Sequence, residues 1–555
     1  MHTSSTHHNW LPHAAIIACA FIAVVWQLLS PGYYCKLVED VAYTHKYILQ
    51  FTESFRQGIL YPRWMAESFG GYGSPVFVYY SPAVYWFAGL LGLCGIGPSL
   101  SIFILQLISL CIGGLSVFYL VRMRFGQRAA VIAAIIYCLI PGRVINLYYL
   151  NTYAGRFAEA FMPLTLLFTS KLVDGPFSRR YLAGTALSYA ALILSHLATA
   201  YIFTPFLIAY AFIYTGAPFS RVWLRLAAAL LAGMGLASFF FLPVLLERSH
   251  VHLGLLESIP AYSYLANFVL NLTGNRTFES TAQLRNLLMV SLVAETGIAL
   301  AIVYLAWRKA GLAFEREVVF LSSSIIICMF MMSSLSAPIW KNLPGLPTIA
   351  FSFRFVPIFI VFVSALLGVA IDRLLQERMP VLMAASAAVL VLVLAYYDVR
   401  LVIKAFQPIT ETDAGHIGAS WDMLEYLPAT ASPESVDRLK SDDPRLTVTG
   451  GSAEIKNWGY IDRELLFDGK DGGTLRLKTI LFPGWRGFID GQECSLYPET
   501  GTGAIQLNVP AGRHYIRLSF MDTPPRAWGK AISLVTLAAL VFPYGAVRRR
   551  RTGKT

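Results

Sequence analysis

The sequence predicts an all-α polytopic membrane bundle of about twelve spanning helices, followed by an extracytoplasmic all-β domain. Three observations predict it. Of 555 residues, 56% are hydrophobic and only 14% are charged, where a soluble domain carries about 25% charge. Apolar runs of about 20 residues, the length that crosses a bilayer, recur along the chain between short basic loops. Between 399 and 527 the charge rises and the apolar period changes to two. The net charge of +12 is no nucleic-acid signature, because the basic residues sit mostly at span ends.

Taken in order, the apolar runs are 13–30, 98–121, 129–147, 157–173, 181–196, 198–216, 225–246, 287–306, 317–335, 353–371, 380–398 and 528–546. The first is long enough to anchor and is followed by no small-residue cleavage motif, so it reads as a span rather than a leader. Every even-numbered run exits into basic residues: Arg122, Arg124 and Arg128, then Arg179 and Arg180, Arg221 and Arg225, Arg308 and Lys309, Arg373 and Arg378, and Arg548 to Arg551. Retention of positive charge in the cytoplasm then places both termini inside. Four polar segments fall outside: 31–97, 148–156, 247–286 and 399–527. The run 83–96 is too short to span and ends in Gly-Ile-Gly-Pro98, so it reads as an interfacial helix.

This divides the chain into a transmembrane part, 1–398, with an outer loop 31–97, a β-domain, 399–527, and a last span with a basic tail, 528–555. In the β-domain Leu475, Leu477 and Thr479 alternate with Arg476 and Lys478, and Ile505, Leu507 and Val509 with Gln506 and Asn508. Turns at Asp471-Gly472-Gly473, Pro483-Gly484, Asp490-Gly491 and Pro510-Ala511-Gly512 separate the runs, the pattern of a sandwich. The seven cysteines form no CxxC and no zinc-like cluster. Cys35 and Cys494 lie in polar segments where a disulfide is compatible with an outside location.

Four groups carry candidate chemistry. The first loop opens on Lys36, Glu39, Asp40 and His45, and continues to Tyr61-Pro62-Arg63-Trp64. A carboxylate held at the interface suits a general base, but composition alone favours a solvated acidic pair at a helix start. Arg156 and Glu159, three apart, can share a helical face as a structural pair or a ligand site. His196 follows Ser195 at a span end, where a packing histidine is the commoner role. Arg354 sits among Phe351, Phe353 and Phe355 with no nearby carboxylate in sequence. Its fork suits a phosphate at headgroup depth, and snorkelling to the interface accounts for it equally well. No metal-ligating set is visible. No phosphate-cradling loop, nucleophile elbow or HExxH occurs, which argues against a cytoplasmic nucleotide-driven enzyme.

The ordered set Gly58-x-x-Tyr-Pro-Arg-Trp64, Gly71-Tyr-Gly-Ser-Pro75, Tyr80-Ser-Pro82, Arg156-x-x-Glu159, Ser195-His196, Leu242-Pro243, Trp340-x-x-Leu-Pro344 and Phe351-x-Phe-Arg354-Phe resembles GT-C type membrane glycosyltransferases. Within them it is most similar to the bacterial membrane family labelled 6-pyruvoyl-tetrahydropterin synthase-related, akin to YfhO-like proteins, although the residues show no pterin chemistry. Phe482-Pro-Gly-Trp485, Asp490-Gly491 and Pro510-Ala-Gly512-Arg-His514 extend the resemblance into the β-domain.

The resemblance implies a GT-C-like bundle and a polyprenyl-phosphate-linked sugar donor. It also implies Asp40, with Glu39 beside it, as general base toward a cell-envelope glycan, lipid or protein acceptor. Arg354, Arg156, Arg63, Lys36, His196, Glu159 and His45 become the candidates for holding donor and phosphate. A divalent cation is compatible with that chemistry, and membrane lipid is the expected surrounding. In one respect the sequence departs from its relatives, which often carry His four residues after the acid. Here Thr44 holds that place and His45 lies about 140° round an ideal helix. The alternatives are a lipid or glycan transporter, or a non-catalytic assembly factor of the same fold.

Overall fold

The structure, a computed structural model, describes residues 10–29, 33–35, 40–150, 152–215, 221–255, 259–260, 263–272, 279–312, 315–376, 406–408 and 422–542. The expected span 380–398 and the basic tail lie outside them. The chain divides into two compact units: 1–41, 99–234 and 256–409 form the first, and 42–98, 235–255 and 410–555 the second.

The first unit is helical. Its apolar helices are Leu11–Leu29, Pro98–Leu139, Phe161–Val173, Arg179–Ser195, Leu197–Thr215, Arg221–Leu236, Glu279–Ala310, Arg316–Met331 and Val356–Gln376. Among the described residues, three helical segments are long and apolar enough to cross a membrane: Pro98–Leu139, Leu288–Ala310 and Ser352–Gln376. Several expected spans are interrupted. Pro98–Leu139 holds two runs joined at Gly126, whose φ of 84° breaks the helix. The run 129–147 stops at Leu139, because Pro141 has no N–H to continue the ladder. The run 225–246 is split at Ala237 into Arg221–Leu236 and Ser238–Leu246.

Ser352–Gln376 is the centre of the first unit: 89% of its most apolar window is buried in protein, against 33% for Leu288–Ala310. Small residues let it approach closely. A Cβ on Gly368 would come within 2.5 Å of the Ala133 side chain. At the polar helix ends Arg124 bridges Asp174 (2.7 Å) and Glu317 (3.6 Å), and Arg128 pairs with Asp372. A short antiparallel pair, β1 (Tyr33–Cys35) with β2 (Phe406–Pro408), completes this unit.

The second unit holds helices Asp40–Arg56 (from residue 42 onward), Ala83–Leu93, Ser238–Leu246 and Pro524–Val541. Ala83–Leu93 has 11 residues, about 16 Å of helix, too short for a hydrocarbon core of about 30 Å. Its strands are β3 (Leu446–Thr449), β4 (Ser452–Trp458), β5 (Asp462–Gly469), β6 (Gly473–Ile480), β7 (Trp485–Ile489), β8 (Gln492–Cys494), β9 (Tyr497–Pro498), β10 (Ala504–Val509) and β11 (Gly512–Phe520). They form antiparallel sheets ordered β3-β6-β10-β9 and β4-β5-β11-β7-β8. The alternation read from the sequence closes one core between them. Leu475, Leu477, Ile505 and Leu507 of one sheet meet Leu465, Phe467, Ile516 and Leu518 of the other. Trp64, Val78 and Tyr79 of the first loop belong to the same core. Cys494 is a free thiol, so the disulfide considered for it is not formed.

Candidate functional site

The break at Pro141 builds a buried polar cluster in the first unit. After Leu139 the chain forms a short turn, Pro141–Ile145, then a π turn, Asn146–Leu150, then the helix Tyr153–Glu159. Arg143, Asn146, Arg156 and Glu159 are all buried there. Glu159 receives the Arg143 guanidinium and the Asn146 amide. Arg143 also donates Nε to the Tyr137 carbonyl (3.3 Å) and lies 4.3 Å over the Tyr137 ring. Its Nη2 has no hydrogen-bond partner among the described residues. A second buried carboxylate, Glu295, accepts from Gly142 N–H (2.6 Å) and Ser291 Oγ (3.1 Å).

Glu159 was expected to share a face with Arg156; the partner the fold supplies is Arg143. Sequence reading missed Arg143 because fifteen intervening positions include the turn that folds it back onto Glu159. The usable signal was an arginine two residues after a proline inside an apolar run. Arg156 lies over the Tyr153 ring (4.8 Å), and its carbonyl accepts from Ser109 Oγ (3.0 Å).

His196 stands between helices Arg179–Ser195 and Leu197–Thr215. Thr199 N–H donates to its Nδ1 (3.2 Å), so the neutral ring carries its proton on Nε2. Arg354, in the turn Ser352–Phe355, lies 5.7 Å over the Phe351 ring. It is near enough to act electrostatically on His196, which joins two candidates 158 positions apart.

Asp40 is the first residue of the helix Asp40–Arg56; Lys36 and Glu39 lie outside the described residues. The segment is helical, so Thr44, buried, holds the position one turn beyond Asp40, and His45 is rotated away from it. Strand β1, which ends five residues before Asp40, packs beside the π turn Asn146–Leu150. Tyr148 of that turn donates to the Ala23 carbonyl in the first helix (2.6 Å). Strand β1 therefore lies beside the turn that carries Asn146.

The remaining candidate, Arg63, lies in the second unit. It is buried, pairs with Asp522 (3.1 Å), donates to the Phe239 carbonyl (3.1 Å) and covers the Tyr61 ring. The loop motifs near it pack the second unit. A Cβ on Gly73 (φ 85°) would strike the Trp64 indole at 2.4 Å. Tyr72 Oη donates to Asp443 (2.6 Å) and accepts from Arg476 (3.0 Å). The Phe482-Pro-Gly-Trp485 motif is held by Arg526, absent from the sequence candidates. Arg526 is fully buried, grips Glu247 through Nε (3.0 Å) and Nη2 (2.8 Å), and donates to the Pro483 carbonyl (2.9 Å). Arg463, buried 4.4 Å over the Trp458 ring, is pushed down to about 9 by burial. It too is a core residue of the sheets.

Among the described residues no group of three or more His, Cys, Asp or Glu side chains could hold a metal ion.

Long apolar helices around buried, paired charge define an integral membrane protein with a polar site inside its bundle. The chain belongs to the membrane-protein family described as the 6-pyruvoyl-tetrahydropterin synthase related domain, matched over residues 77–405. No curated protein matches it. Among solved structures it is similar to the mycobacterial arabinofuranosyltransferase AftD, at 16% identity and a TM-score of 0.45 over 74% of this chain and 27% of that one. It is also similar to the Archaeoglobus fulgidus oligosaccharyltransferase, at 14% identity and 0.45 over 77% and 58%. A third likeness is to ArnT from Cupriavidus metallidurans bound to undecaprenyl phosphate, at 13% and 0.36 over 66% and 78%. The chain thus spans about a quarter of AftD.

Proposed function

We propose that this protein is an integral membrane glycosyltransferase of the bacterial inner membrane. It takes a sugar from a polyprenyl-phosphate-linked donor and passes it to a cell-envelope acceptor on the extracytoplasmic face. Both termini are cytoplasmic in this reading, and the two-sheet domain lies outside. Asp40 accepts the proton of the acceptor hydroxyl, with Glu39 as the alternative base. The acceptor oxygen attacks the anomeric carbon as the bond to the phosphate oxygen breaks, and the polyprenyl phosphate leaves with the bonding pair. Charge grows on that phosphate, so fixed cations nearby favour the transition state.

The observation that carries the reading is the buried ionic cluster of Arg143 and Glu159, reached by the turn that strand β1 contacts. Arg143 and Glu159 are taken out of water in an apolar bundle, next to the π turn that strand β1 contacts. Ionisable groups at such depth are costly and mark sites. Arg143, Arg156 and Arg354 supply the positive potential, and His196 lies within the field of Arg354. Arg63 pairs with Asp522 within the second unit.

Asp40→Asn keeps size and removes the base. Turnover of an undecaprenyl-phosphate-linked sugar by the purified protein should fall about 10²-fold or more, with near-normal protein yield. Full turnover by Asp40→Asn together with loss in Glu39→Gln would move the role to Glu39; full turnover in both would end the reading.

A further inference from the structure

From residue 42 onward the helix that begins at Asp40 belongs to the second unit, which grips it at several points. Lys46 pairs with Asp422 (3.0 Å), and their side chains are only 13% and 5% exposed. Asp422 also accepts the backbone N–H of Phe69, so one carboxylate ties the helix to the Gly-rich loop. One turn on, Gln50 Oε1 accepts from Glu67 N–H (2.9 Å). Just past the helix end, Gln57 Oε1 accepts from Tyr460 N–H (3.1 Å), in the turn between β4 and β5. Of these grips, the Lys46–Asp422 pair is the nearest to Asp40, six residues along the same helix.

A buried ion pair of this kind stabilises poorly against an apolar replacement, because both charges lose water. What it does well is fix one register and one rotation, since moving either charge off the other leaves it buried without its countercharge. A helix rotates as a unit, so the setting of Lys46 is transmitted through the backbone to the first turn. The residue at stake there is the one the proposed function uses as base.

We infer that Lys46 and Asp422 are positioning residues for Asp40, holding the helix Asp40–Arg56 in one register through their buried ion pair. The inference rests on the proposed role of Asp40 for its catalytic consequence. Its structural content stands apart from that role. Neither residue touches the reacting atoms in this scheme; both act through the helix.

The test uses the full-length protein in detergent, with Asp422→Asn, Lys46→Met and the conservative Lys46→Arg. Backbone hydrogen exchange is read over residues 41–50 and, as internal control, over β11. Asp422→Asn and Lys46→Met should each raise exchange over 41–50 by about tenfold or more while β11 keeps its protection, and Lys46→Arg should restore the wild-type pattern. Turnover of the undecaprenyl-phosphate-linked sugar that the wild type accepts is measured alongside. It should fall about 10- to 100-fold in kcat, the scale of a base displaced by about 1 Å, with donor KM within about twofold. Lys46→Arg should retain most of kcat. Unchanged exchange over 41–50 in both charge-removing variants would overturn the inference, and so would full kcat in them while Asp40→Asn is inactive. If β11 loses protection as well, the pair is a general fold contact and the inference fails. Full activity in Asp40→Asn would instead remove the base assignment, and the exchange data would still decide the role of the pair.

Discussion

Two buried arginine–glutamate pairs, one in each unit, do different work. Arg526 and Glu247 are closed on themselves. Each guanidinium nitrogen of Arg526 has an acceptor, Glu247 also takes Thr523 Oγ1, and the rings of Phe482 and Phe520 cover the guanidinium at 5.4 and 5.0 Å. Arg143 and Glu159 are equally buried, but Nη2 of Arg143 has no hydrogen-bond partner among the described residues. The first pair is a clamp, joining the start of the last helix to Glu247 and the Pro483 turn. The second leaves one guanidinium nitrogen without an acceptor among the described residues, and the proposed function gives that nitrogen a donor phosphate to meet. The two pairs are alike in burial and differ in how many guanidinium nitrogens have an acceptor among the described residues.

The comparison breaks most sharply at Arg526. Arg526→Ala leaves Glu247 charged and buried without its partner, a loss of about 3–5 kcal/mol. A thermal melt of the detergent-solubilised protein should show a large fall. The apolar pair Arg526→Met with Glu247→Leu should recover most of it. A single variant that melts like wild type would show that the pair is no clamp.

Arg143→Lys gives the converse. The charge stays and Glu159 keeps a cation, so melting should stay close to wild type. The fork is lost, and turnover should fall about 10- to 100-fold. Intact turnover with a collapsed melt would place Arg143 in the same class as Arg526.

A smaller effect is expected at Arg354, which is half-buried beside Phe351. Arg354→Lys should cost about tenfold in turnover and weaken the donor. Equal turnover with unchanged donor affinity would mean that Arg354 only reaches for the interface.

The least effect belongs to an exposed pair in the sheets. His514 Nδ1 lies 2.6 Å from Asp490 Oδ2, a contact that raises the imidazole and lowers the carboxyl from their ordinary values. The raised histidine contributes stability that is complete below its unfolded value and is lost as pH rises through the folded one. Melting temperature should therefore drift slightly down with rising pH across that window, and His514→Gln should flatten the drift. A slope that survives the substitution must come from other groups.

Much of the fold was legible because its signals are local. Period-two alternation from Leu475 to Thr479 and from Ile505 to Val509 gave strands that the structure contains as β6 and β10. The shortness of 83–96 gave a helix of 11 residues. Continuity of the spans was less legible. Pro141, Gly126 and Ala237 interrupt runs that hydropathy averages over, since a window of apolar residues does not register one missing N–H. The loop motifs were visible as motifs, but whether Gly73 served chemistry or packing depended on which ring lay above it, and that ring is Trp64.

By itself the sequence determined the apolar bundle, the β-domain and the residues able to carry charge, because composition, period and turn chemistry act over a few neighbouring positions. Only tertiary structure decided which charges meet. Arg143 reaches Glu159 through a turn set by Pro141, Arg526 finds Glu247 across 279 positions, and Lys46 finds Asp422 across 376. A charge is indifferent to sequence distance. Its partner is chosen by the packing of apolar surfaces around it, and that choice separates the saturated pair from the one left open.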